Sequence, residues 1–132
     1  MTATSTVPGL AAIGQIAMNA HDIPRAVQFY RDALGLRLLF EAPPKMAFFD
    51  CAGVRLMLSL PEREEYDHAG SVLYFRVDDI QTAYQEMMER GVHFTAAPHM
   101  IFKHESGMEE WMAFFLDPEG RPLAIMAQPT PG

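Results

Sequence analysis

Apolar residues recur at helical spacing in a stretch that begins at residue 22. Asp22 is the predicted N-cap, Pro24 is tolerated in the first turn, and Gly35 is the predicted C-terminal stop. Positions i, i+3, i+4, i+7, i+10 and i+11 form one apolar stripe, made of Ile23, Ala26, Val27, Tyr30, Ala33 and Leu34. The pattern predicts one helix with a single buried face.

A second helix of the same design is predicted from residue 79. Asp79 is its N-cap and Gly91 its stop, and the stripe consists of Ile80, Ala83, Tyr84 and Met87. Extended runs surround both helices. The predicted strands cover about 13–19, 36–41, 46–50 and 54–60 in the first half, and about 71–77, 92–96, 111–116 and 122–127 in the second. Each half therefore has the order β-α-β-β-β.

The two halves also share sequence. The letters MAFF at 46–49 return at 112–115, 66 residues later, and the pattern DIxxAxQ at 22–28 returns at 79–85, a spacing of 57. Such self-similarity indicates a duplicated supersecondary unit. We therefore predict one α+β domain over 13–128. Its predicted parts are two tandem βαβββ units at 13–60 and 71–127, a linker at 61–70, and a flexible N-terminal tail at 1–12.

Composition restricts the partners of the chain. Its 132 residues carry a net charge of −7, which argues against a nucleic-acid surface because such surfaces are basic. No stretch approaches the about 18 apolar residues of a membrane span, and 1–12 lacks the features of a signal peptide. Cys51 has no second cysteine to pair with, and the neighbouring Asp50 makes it a poor nucleophile. We expect a cytoplasmic protein without nucleic-acid or membrane partners.

The duplicated βαβββ unit, the segment FYRDALGL at 29–36 and the segment FLDPEG at 115–120 resemble the vicinal oxygen chelate superfamily. This superfamily includes glyoxalase I, extradiol dioxygenases, fosfomycin-resistance enzymes, methylmalonyl-CoA epimerase and bleomycin-resistance proteins. The resemblance covers about 13–127. It implies a glyoxalase-like fold, in which the two units form a curled, cleft-containing mixed sheet, and it implies a homodimer. It does not fix the chemistry.

The resemblance also implies where a metal would bind. Metal-using members take their ligands from the first and last strands of each unit, and glyoxalase-like members have His or Gln, Glu, His and Glu there. The matching positions here are Gln15, Met57, Val72 and Ala124. Hard and borderline divalent cations need oxygen or imidazole donors, and only Gln15 offers one. We therefore expect neither a metal nor another cofactor.

Strand alternation from these four positions predicts the lining of the cleft. The expected ligand-binding residues are Gln15, Asn19, Arg55, Met57, Ser59, Tyr74, Arg76, Ala124 and Met126, joined by Trp111 as a stacking platform. Two alternatives stay open: the arginines pair with acids such as Asp50 and Asp78, and Trp111 is a core or rim aromatic. The opposite strand faces are apolar and are expected to pack under the helices.

Two residues are candidates for proton transfer: Tyr74 on the cleft face, and His104 in the segment 98–110. That segment is expected to be a long hairpin loop of the kind that forms lids, and it also contains His99. The alternatives are a tyrosine with a satisfied hydroxyl and surface histidines.

The sequence leaves three functional hypotheses. In the first, the protein is a metal-independent binding protein that sequesters a small aromatic or anionic ligand, as bleomycin-resistance-like members do. In the second, it is a lyase, isomerase or dioxygenase with a divalent metal at an atypical site that draws on Gln15, His68 or His104. In the third, the cleft is filled by the protein's own side chains.

Overall fold

A four-stranded sheet with a helix against one face forms the first unit. The computed structural model describes residues 10, 12–42, 44–61, 64, 67 and 70–130. In chain order the elements are β1 (Gln15–Asn19), α1 (Ile23–Gln28) with a π-helical continuation (Phe29–Ala33), β2 (Arg37–Ala42), β3 (Met46–Cys51) and β4 (Val54–Ser59). The strand order is β1-β4-β3-β2, and β1 runs parallel to β4.

The second unit repeats this arrangement with one more strand. Its elements are β5 (Tyr74–Arg76), α2 (Ile80–Glu89), β6 (His93–Phe94), β7 (His99–Lys103), β8 (Glu109–Leu116) and β9 (Pro122–Ala127). The order is β5-β9-β8-β6, with β5 parallel to β9. Strand β7 also pairs with β8, so β6 and β7 together take the edge that β2 takes in the first unit. The predicted α+β class is confirmed, and the predicted elements occur in the predicted order, with β7 as an additional strand in the second unit.

The prediction of a long loop at 98–110 is wrong. Residues 99–103 form β7, which pairs antiparallel with 109–112 of β8, and only a short turn at 104–108 connects them. The amide of His104 closes this turn with a 2.8 Å bond to the carbonyl oxygen of Met108. All five residues of β7 are exposed, so the strand lacks the alternation of buried and exposed positions that identifies half-buried strands in a sequence.

The helix ends follow the predicted signals. The Asp22 side chain accepts a hydrogen bond from the amide of Arg25, and the Asp79 side chain accepts from the amides of Gln81 and Thr82. Gly35 and Gly91 adopt φ values of +75° and +89°, the left-handed conformation that ends a helix. Both predicted stripes pack on the core, although the first helix widens into a π-helical turn from Phe29.

The core joins both units through equivalent residues. Phe49 and Phe115, the last residues of the two MAFF segments, are fully buried, whereas Phe48 and Phe114 lie on the opposite face of their strands. The predicted apolar faces pack under the helices: Leu56, Leu58, Leu123 and Ile125 are buried, and Ile16, Leu73 and Phe75 are partly buried. No helix within the described ranges is long and apolar enough to cross a membrane.

Between the units, a buried hydrogen bond of 2.8 Å runs from the Tyr30 hydroxyl to Asp117 in the turn between β8 and β9. Asp117 also accepts bonds from the backbone amides of Glu119 and Arg121, so this turn is fixed to the helix of the first unit. Burial and the Asp117 charge raise the pKa of Tyr30, which keeps its hydroxyl protonated as the donor.

Candidate functional site

Strand pairing places the last-strand family position of each unit at the centre of a cross-strand row. In the first unit Met57 pairs with Ala17 on one side and Phe48 on the other. In the second unit Ala124 pairs with Tyr74 and Phe114 in the same way. The two rows are equivalent under the duplication, so the strand register supports the alignment of Met57 with Ala124.

On the first unit, Gln15 and Arg55 hold each other on adjacent strands. They are paired in the β1–β4 register, and Arg55 Nε donates a 2.7 Å hydrogen bond to Gln15 Oε1. The Gln15 amide nitrogen lies 3.9 Å from the Met57 sulfur. Three of the predicted ligand-binding residues are therefore brought together.

Two aromatic rings extend this cluster across the sheet. The Arg55 guanidinium lies 5.1 Å from the centroid of the Phe48 ring, and Phe48 stacks on Phe40 with centroids 4.4 Å apart. The Phe48 side chain is buried, whereas that of Phe40 is 50% exposed. We call Gln15, Phe40, Phe48, Arg55 and Met57 the arginine face.

In the part of the chain that the structure describes, Arg55 has no acidic partner. Asp50 lies opposite Arg55 in the strand register, but its carboxylate accepts a bond from the Gly53 amide instead. Among the described residues, no carboxylate lies within ion-pair distance of Arg55, and its two terminal nitrogens make no hydrogen bond. The alternative in which Arg55 pairs with Asp50 is therefore not observed, and one edge of the guanidinium is free to bind an anion.

On the second unit, two aromatic side chains cover the central residue of the equivalent row. Tyr74 and Phe114 meet edge to face with centroids 5.7 Å apart, on either side of Ala124 in the register. Ala124 is fully buried and Tyr74 is 45% exposed. Arg76 pairs with Met126 in the register and is exposed, and within the described ranges no acid neutralises it.

Other predicted site residues lie apart from the arginine face. Asn19 and Ser59 pair at the far end of β1 and β4, where the Arg121 guanidinium binds the Asn19 carbonyl oxygen. Trp111 packs against the core, on the same face of β8 as Ala113 and Phe115, and its indole nitrogen donates to Glu109 at 2.7 Å. It is thus the core or rim aromatic that the sequence left open.

His104 lies at the end of the β7–β8 hairpin and bonds Glu110 through Nε2 at 2.8 Å. This bond lowers the pKa of Glu110, whose carboxylate also accepts from Gln128. The other histidine proposed as an atypical ligand, at position 68, lies outside the described residues. At Cys51, burial and the charge of Asp50 raise the thiol pKa, as expected from its neighbours.

The family positions do not fit a divalent metal. Gln15 supplies the only hard donor, and its oxygen already accepts from a guanidinium whose positive charge opposes a second cation. Ala124 and Val72 have no donor atoms. Within the described part of the chain, no three His, Cys, Asp or Glu side chains are grouped so as to hold a metal ion.

Two cavities of the described structure lie beside other predicted site residues. Tyr74 borders a small apolar cavity of about 160 Å³ with Ile16 and Leu73, and Asn19 and Val72 border one of about 310 Å³ with His21. Neither of these two cavities is lined by Gln15, Arg55 or Met57. Gln15 and Arg55 are exposed on their strands.

Comparison with known proteins agrees with this fold. The chain is 27% identical to the uncharacterized protein YraH of Bacillus subtilis, over 84% of this chain and 94% of that protein. Among solved structures it resembles a lactoylglutathione lyase from Agrobacterium tumefaciens, with TM-score 0.72, 22% identity and coverage of 90% and 95% of the two chains. A superfamily member from Sphaerobacter thermophilus gives TM-score 0.72, 24% identity and coverage of 89% and 98%.

At these identities the structural likeness shows the fold alone. The sequence comparison goes further, because a family model matches residues 12–130. The chain therefore belongs to the glyoxalase/bleomycin resistance protein/dioxygenase superfamily.

Proposed function

We propose that this protein binds a small aromatic carboxylate on the arginine face and does so without a divalent metal. The observation that carries the proposal is the free edge of the Arg55 guanidinium, which Gln15 and Phe48 hold in place and which no acid of the described residues neutralises. A guanidinium in a fixed orientation binds a planar carboxylate through two parallel hydrogen bonds. Such binding corresponds to the sequestration that the resemblance to bleomycin-resistance-like members implies.

An aromatic surface that can contact the ring of the ligand lies beside Arg55. Phe40 is half exposed and stacked on Phe48, so a planar ring can extend the stack while its carboxylate reaches the arginine. Met57, next to Gln15, supplies a flexible apolar contact that adapts to different ring shapes. The site orients and holds a ligand.

Calorimetric titration with 2-naphthoate and benzoate tests the proposal. We expect saturable binding of one ligand per chain, and at least about a tenfold weaker affinity in Arg55→Gln, because a hydrogen bond to a charged group contributes about 1.5–3 kcal/mol. Arg31→Gln, which removes an equal charge from the π-helical continuation and lies outside the arginine face, is the matched control and should bind normally.

The neutral analogue 2-naphthamide should bind much more weakly than 2-naphthoate, since it cannot form the charged pair. Equal affinity of wild type and Arg55→Gln, or the absence of saturable binding of either acid, would show that the arginine face is not the binding site.

A further inference from the structure

A cavity of about 670 Å³ lies away from the arginine face. It is a groove between the first helix with its π-helical continuation and the second unit, where α2 ends and the β8–β9 turn begins. Arg25, Phe29 and Asp32 line it from the first unit, and Arg90, Leu116 and Asp117 line it from the second. Its volume falls in the range of about 300–1,000 Å³ that is typical of small-molecule sites.

The charges around this groove leave an excess of positive charge. Asp32 is paired with Arg31 at 2.8 Å, and Asp117 is paired with Arg121 at 3.3 Å. Both partner arginines lie outside the groove lining. In contrast, no carboxylate of the described residues lies within ion-pair distance of Arg25 or Arg90. Two guanidinium groups without an ion-pair partner among the described residues thus line one cavity, beside two aspartates that are already paired, in a chain whose net charge is −7.

One of these guanidinium groups is oriented by the backbone of the other unit. Arg90 Nε donates a 2.9 Å hydrogen bond to the carbonyl oxygen of Ala33, the last residue of the π-helical segment. Helix ends leave carbonyl groups without an intrahelical partner, and Arg90 satisfies one of them. The remaining nitrogens of Arg90 stay available, and the bond fixes the α2 end against the helix that carries Arg25.

Phe29 and Leu116 add an apolar wall to the groove beside the two arginines. Two guanidinium groups suit a dianion better than a single carboxylate, and a phosphate monoester carries nearly two negative charges at neutral pH. We propose that this groove is a second binding site, which takes a small phosphate monoester: Arg25 and Arg90 bind the phosphate, and Phe29 and Leu116 contact its organic part. The site goes beyond the proposed carboxylate binding and shares no residue with it.

Titration of the full chain with phenyl phosphate and with inorganic phosphate tests this site. We expect saturable binding of phenyl phosphate, weaker binding of inorganic phosphate, and at least about a tenfold loss of affinity in Arg25→Gln. The Arg25 side chain makes no hydrogen bond or ion pair with another described residue, so this variant should unfold at the wild-type temperature.

Two matched controls separate the sites. Arg31→Gln removes a neighbouring charge outside the groove, and Arg55→Gln removes the proposed carboxylate site; both should bind phenyl phosphate as the wild type does. The proposal is overturned if phenyl phosphate does not saturate the protein, if Arg25→Gln binds it with unchanged affinity, or if Arg55→Gln abolishes binding.

Discussion

His21 illustrates how single side chains connect distant parts of this chain. Its Nδ1 lies 2.5 Å from Glu119 in the β8–β9 turn, and its Nε2 lies 2.7 Å from Asp67 in the connection between the units. The hydrogen bond with Asp67, followed by that with Glu119, raises the pKa of His21 from 6.5 to about 8. A protonated imidazole therefore joins three segments of the fold.

This arrangement predicts a pH dependence of stability. Because the folded pKa is higher than the unfolded one, the contribution of His21 is complete below pH 6.5 and is lost as the pH rises through about 8. Urea unfolding of wild type and His21→Gln at several pH values from 6 to 9 measures it. We expect the difference in unfolding free energy between the two proteins to shrink over this range. A constant difference would contradict the prediction.

The sequence predicted which residues share a face of the sheet better than it predicted which side chains contact each other. Duplication and alternation identified Gln15, Arg55 and Met57 as neighbours on one face, and the structure brings them together. Arg55 contacts Gln15 and Phe48 rather than Asp50 because of the way side chains are oriented across three strands. No local sequence pattern specifies that orientation. Phe40 was missed although the stack with Phe48 places it in the site. Phe40 ends the apolar run 38–40 of β2, in which alternation does not separate the two faces of the strand.

At the scale of elements, β7 is the exception to a well-predicted order. Helices were predictable because each buries one stripe, and the central strands because each buries one face. Strand β7 buries neither face, and Met100, Ile101 and Phe102 are 47%, 49% and 56% exposed. Edge strands also present unpaired backbone groups, to which another chain can bond.

From this edge we predict self-association of the chain as a homodimer. Ile101 lies at the irregularity of the β7–β8 register and is half exposed, so Ile101→Lys should disrupt the edge with little effect on folding. Light scattering after size-exclusion chromatography should give a dimer mass for wild type and a monomer mass for Ile101→Lys.

Met88→Lys, which changes an exposed apolar residue on α2, is the control and should remain a dimer. A wild-type monomer, or an Ile101→Lys variant that is still dimeric, would contradict the role of this edge.

Across the whole molecule, duplication produced two equivalent faces that have diverged in side-chain size. The first unit places Ala17, Met57 and Phe48 in the row where the second places Tyr74, Ala124 and Phe114. In the second unit Tyr74, the large residue at the first position of the row, contacts Phe114, and Ala124 between them is buried. In the first unit the small Ala17 leaves the row open beside Arg55. This asymmetry supports a ligand-binding site on the first unit alone. It argues against a metal site formed by four ligands that converge from both units.

The most direct test compares the affinity for 2-naphthoate in protein dialysed against EDTA with that in protein supplemented with Mn²⁺, Ni²⁺ or Zn²⁺. Because Arg55 supplies the positive charge that a metal would otherwise provide, we expect one dissociation constant under all these conditions. Binding that disappears after EDTA treatment and returns with one of these cations would contradict the metal-independent site.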